Sequence, residues 1–98
     1  MNEQIKFYES KLDFEMDASD LFHAMNDGEK IVVIDARQLH GFEREHIPNA
    51  VNLPHWEMSE ETTKHFDRNV LYVTYCDGIG CNASTKGALK MAKLGFKV

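Results

Sequence analysis

Residues 30–37, KIVVIDAR, are the strongest constraint on the fold: a continuous apolar run that ends abruptly in charge. Alternating polarity would mark a strand with one wet face, whereas an unbroken run of β-branched residues marks a strand covered on both faces, as in a parallel sheet. A second such run, NVLYVTY at 69–75, is rich in Val and Tyr and leads directly into the loop YCDGIGCNAST.

Helical patterns alternate with these strands. Ile5, Tyr8 and Leu12 recur at helical spacing, and a short extended piece, DFEM, is predicted after them. Asp17 reads as an N-cap, Leu21, Phe22 and Met25 as an apolar stripe, and Gly28 as the C-terminal stop. Residues 38–54 read as irregular with at most a short helical turn, because Pro48 and Pro54 bracket a brief strand at 50–53. Ser59 is expected to cap a short acidic helix to about His65. A helix from Ala83 to Leu94 carries Ala88, Met91 and Ala92 on one side and ends at Gly95. Strand and helix in alternation predict an α/β domain, a mostly parallel central sheet flanked by helices on both faces. The whole of 1–98 is expected to form one domain, with 1–16 as an N-terminal helix and short strand extension.

Charge narrows the function. A net charge of −5 argues against nucleic acid, whose binding draws on Lys and Arg neutralising phosphates. Lys86, Lys90, Lys93 and Lys97 read as a solvated helix face whose cations suit a helix C-terminus. There is no membrane-scale apolar run, and the opening MNEQIKFYESK is not a signal or transit peptide, so a cytoplasmic setting is expected. In that reducing setting Cys76 and Cys81 are not a structural staple, and as a zinc pair they lack partners; no metal and no cofactor is expected.

In open parallel sheets sites form at the carboxyl ends of the strands, and two strands deliver polar residues there: Asp35 to Arg37, and Cys76 onward. A free cysteine is only roughly 3% thiolate at pH 7, so a reactive Cys76 needs donors. The helix beginning near Ala83 turns its unpaired N–H groups back into the loop, while Gly78 and Gly80 let backbone amides face inward. The candidate anion-binding loop is therefore Asp77, Gly78, Ile79, Gly80, Cys81, Asn82, Ala83 and Ser84.

The order VVIDAR, FEREHIPNAVNLP, YVTYC and a helix ending in LGF resembles the rhodanese, or thiosulfate sulfurtransferase, family from about Asp17 onward. The resemblance implies a catalytic Cys76 that accepts a sulfane sulfur as a persulfide and passes it on. The donor would be thiosulfate or a persulfide, including one on another protein, and the acceptor a thiol or cyanide. Asp35, Arg37 and His46 match the family's supporting positions; their structural reading is that they tie neighbouring loops together. Two departures stand out. The loop carries no Arg and adds the negative charge of Asp77, which predicts weak thiosulfate:cyanide activity. The loop is also slightly long, as in the related phosphatases with a C-x5-R loop, but Asn82 stands where their Arg would be.

Cys81 reads either as a small packed residue or as a resolving thiol for Cys76. Trp56 reads as lining the site mouth or packing on the sheet, and His55 and His65 as surface residues. A regulatory, oxidant-sensing or binding module on the same fold is the alternative to an enzyme. Family members continue past LGF, so the sequence is expected to lack a C-terminal strand and helix and to gain stability from about 20 to 30 further residues.

Overall fold

The computed structural model describes residues 2–78 and 80–98. Its elements run α1 (Asn2–Phe14), α2 (Ala18–Asn26), β1 (Ile31–Asp35), α3 (Leu39–Arg44), β2 (Val51–Asn52), a 3-10 turn (His55–Glu57), β3 (Leu71–Tyr75) and α4 (Ala83–Lys93). The three strands form one parallel sheet in the order β2-β1-β3, with Ile34 opposite Val51 and Thr74, and Asp35 opposite Asn52 and Tyr75. Beyond the strands, Lys97 is bridged parallel to Leu71, and its carbonyl accepts from the Tyr72 N–H at 2.9 Å.

The apolar run of β1 is split between the two faces of the sheet. Ile34, with Ala36, Leu53, Met58, Tyr72, Met91 and Phe96, forms the main buried cluster, against which Val32 also packs. Val33, alternating to the opposite face, is buried outside that cluster, as are Leu21 and Ala24 of α2. Burying a side chain such as Ile34 contributes about 1.5–3 kcal/mol, so the central strand anchors both layers. Helix α4 lies close to the end of β1 because its buried face carries Gly87: a Cβ there would stand 3.3 Å from the Ala36 Cβ and 3.1 Å from the Met58 methyl.

Helix α2 begins as the sequence predicts, with the Asp17 carboxylate accepting from the Asp20 N–H at 2.8 Å. Other expectations are corrected. No strand follows α1: the Glu15 N–H bonds the Lys11 carbonyl and Lys11 Nζ pairs with Glu15 at 2.8 Å, which carries helix through Phe14. Ile5, Tyr8 and Leu12 are exposed, and α1 buries no residue. In α2 the inward position after Leu21 is Ala24, while Phe22 faces outward. In α4 it is Gly87 and Met91 that are buried, and Ala92 is exposed. Residues 59–65 form consecutive turns instead of a helix. Ser59 does accept from the Thr62 N–H at 3.1 Å, but the Thr62 and Thr63 hydroxyls bond the carbonyls of Glu57 and Ser59, and such local bonds compete with a regular ladder.

Candidate active site

The carboxyl ends of β1 and β3 are neighbours, and the register puts Asp35 beside Tyr75. Asp35 is completely buried, and its carboxylate accepts from Arg37 and Tyr75. Arg37 gives its backbone N–H at 2.9 Å, Nε at 2.9 and 3.1 Å, and Nη2 at 2.7 Å, and the Tyr75 hydroxyl donates at 3.0 Å. Burial alone would raise the Asp35 carboxyl, but these donors outweigh it and hold the group below the usual carboxylate range. Burial in turn raises the Tyr75 phenol, so its proton stays in place for the bond to Asp35.

From this anchor the contacts spread outward. The Tyr75 oxygen accepts the Ile47 N–H at 3.0 Å, Asn52 Nδ2 donates to the carbonyls of Asp35 and Arg37, and Arg37 Nη2 also donates to the Glu45 carbonyl at 2.7 Å. Arg37 Nη1 reaches the exposed carboxylate of Asp77 at 3.1 Å. His46 donates Nδ1–H to the Phe42 carbonyl at 2.7 Å and stacks on the Phe42 ring at 3.8 Å, which leaves Nε2 as its other polar atom.

Cys76 follows Tyr75 at the strand end and is half-buried. Its thiol stands 3.4 Å from the Cys81 carbonyl, to which it donates, and 3.4 Å from Ser84 Oγ. Burial pushes the thiol up, yet the Cys81 and Ser84 side chains and the backbone N–H groups of Ser84 and Gly78 bond the thiolate and bring it below its ordinary value. The loop amides are not all free for this: the Cys81 N–H is spent on the Gly78 carbonyl at 3.0 Å. Gly78 and Gly80 adopt φ of +132° and +88°, conformations that side chains rarely take. Asn82 occupies the N-cap position of α4 without a side-chain cap, and Ala83 and Ser84 open the helix. Ile79 lies outside the described residues.

Cys76 opens into a cleft of 550 Å³ lined also by Arg37, Glu45, His46, Ile47, Pro48, Tyr75 and Asp77. The structure thus brings together Cys76, Asp77, Arg37 and His46, with Asp35 beneath them. Trp56 fits neither expected position: it is 56% exposed, stacks edge-on to His55, and does not line the cleft. Tyr75 and Asn52 were missed by sequence reasoning. The signal for Tyr75 is parity, since it ends its strand on the same face as Asp35; for Asn52 it is a polar residue inside the apolar stretch AVNLP.

The rhodanese-like domain model matches residues 18–98. The chain belongs to the rhodanese-like family. A crystal structure of a protein from Bacillus halodurans is 40% identical, superposes with a TM-score of 0.88, and covers 99% of this chain and 72% of its own. A rhodanese-related protein from Thermoplasma volcanium is 24% identical with a TM-score of 0.69, over 85% of this chain and 77% of its own. A protein from Lactobacillus plantarum shares the fold at 22% identity and a TM-score of 0.81, over 98% of this chain and 82% of its own. No curated protein matches the chain. Among the described residues no helix is long and apolar enough to cross a membrane.

Proposed function

We propose that this rhodanese-like domain is a sulfurtransferase that carries sulfane sulfur on Cys76. The observation that supports it best is a half-buried thiol that lines a cleft of 550 Å³ and stands 3.4 Å from Ser84 Oγ in the first turn of α4, with hydrogen bonding that holds it below its ordinary value. The thiolate attacks the outer sulfur of a donor such as thiosulfate; the donor's S–S bond breaks, sulfite leaves with the electron pair, and Cys76 holds a persulfide. A thiol or cyanide acceptor then attacks the terminal sulfur and the Cys76 thiolate departs. The same donors that stabilise the thiolate suit the persulfide anion. Asp35, Arg37 and His46 are positioning residues in this reading: the first two fix the floor of the cleft, and His46 fixes the turn above it.

Intact mass after incubation with thiosulfate or a polysulfide tests the proposal: a gain of about 32 Da in the wild type, absent from Cys76→Ser, is expected of covalent transfer. The absence of any adduct from all sulfane donors would overturn it.

A redox-sensing reading is favoured by one observation, the Cys76 thiol 3.4 Å from the Cys81 carbonyl, which puts the second cysteine's backbone beside it. A peroxide that converts Cys76 to a sulfenic acid would let the Cys81 thiol condense with it, forming a disulfide and releasing water. Peptide mapping after mild peroxide treatment tests this; the link between Cys76 and Cys81 must appear.

A further inference from the structure

We propose that Asp77 is an internal anion that occupies the cleft's arginine and so selects against doubly charged sulfur donors in favour of donors with one negative charge. The inference rests on the sulfurtransferase reading and names the substrate class that its site prefers. Arg37 is the one arginine lining the cleft among the described residues, and its nitrogens are nearly all committed. Nε and Nη2 serve the buried Asp35 carboxylate and the Glu45 carbonyl. Nη1 is the edge left to face a ligand, and Asp77 Oδ1 takes it at 3.1 Å.

Asp77 is also the residue next to the nucleophile and lines both the cleft that holds Cys76 and the adjoining 330 Å³ hollow beside α3. An anionic donor with its outer sulfur at Cys76 must put its oxyanion end in the space that Arg37, Glu45 and Asp77 border. There it meets a guanidinium already neutralised by two carboxylates, one of them buried and the other 74% exposed. Beside Cys76 the second charge of thiosulfate is therefore repelled by Asp77, and the other lining arginine, Arg44, borders only the adjoining hollow. A donor with a single charge loses less.

The experiment compares thiosulfate, a dianion, with methanethiosulfonate, a monoanion that delivers the same sulfur and releases methanesulfinate in place of sulfite. Both are assayed with cyanide as acceptor, using the full chain and its Asp77→Asn and Asp77→Glu variants. Because an exposed ion pair is worth little, Asp77→Asn is expected to raise kcat/KM for thiosulfate by about 3- to 5-fold and that for methanethiosulfonate by less than about 2-fold. The gain shrinks at about 1 M salt, where the screening length is about 3 Å. Asp77→Glu, which keeps the charge, retains the wild-type preference.

Equal changes for both donors, or no change for thiosulfate, would overturn the role of Asp77 while leaving the persulfide chemistry standing. Failure of both donors, and of a polysulfide, to form a persulfide on the wild type would remove the sulfurtransferase reading and this inference with it.

Discussion

The guanidinium that shares the cleft with Cys76, that of Arg37, is taken up by Asp35 and Asp77, and what lowers the thiol is hydrogen bonding at Cys81, Ser84 and Gly78. That dependence makes the thiol sensitive to single atoms. Its alkylation rate, followed site by site with iodoacetamide and peptide mass spectrometry, is expected to reach a plateau below the pH of a free cysteine, whose pKa is about 8.5. Ser84→Ala removes one of the donors and is expected to move the midpoint upward; an unchanged midpoint would mean that the Ser84 hydroxyl does not touch the thiolate. Ser84 was visible in the sequence only as a member of a glycine-bearing loop. Its particular role depends on α4 starting at Ala83, which turns the first helical turn toward the strand end.

At the scale of elements, α4 and β1 meet at a glycine. Gly87→Ala would gain about 1 kcal/mol of helix propensity, but the added methyl meets the Ala36 Cβ at 3.3 Å, and that atom cannot rotate away. Overpacking of this kind costs about 1–3 kcal/mol. The expected net effect is a loss of about 1 kcal/mol in urea unfolding; a gain would show that α4 can lift from the sheet. Helix α1 is the opposite case, since it buries nothing. Deleting residues 2–14 is expected to lower Tm by less than about 3 °C, below the shift that about 1 kcal/mol produces in a domain of this size. The strands were legible because buried parallel strands write themselves as apolar runs, as β1 and β3 do. The N-terminal helix was legible as a helix, but its length was not, because the Lys11–Glu15 pair extends it into DFEM. Residues 59–65 were misread because threonine hydroxyls take backbone carbonyls that a helix would need.

Across the whole molecule, the buried Asp35 carboxylate joins segments that are distant in the chain. Through Arg37 it reaches the Glu45 carbonyl and Asp77, and through Tyr75 it reaches Ile47. No local motif announces this network, because it exists only once β1 and β3 pair in register; the sequence showed Asp35 and Arg37 as a neighbouring pair but not Tyr75 as their third member. Asp35→Asn keeps the shape while removing the charge, leaving the partly buried Arg37 without its main partner, and is expected to cost about 2–4 kcal/mol at pH 7. The pH dependence follows from the direction of the shift. The folded carboxyl lies below its ordinary value, so its contribution is fully present above the unfolded value of about 3.9 and is lost as pH falls through the folded value. Urea midpoints of wild type and Asp35→Asn should therefore differ most at neutral pH and converge in strong acid. A gap that stayed constant down to pH values below the folded titration would show that the variant lost packing or hydrogen-bond geometry, and that charge pairing with Arg37 was not what held the strand ends together.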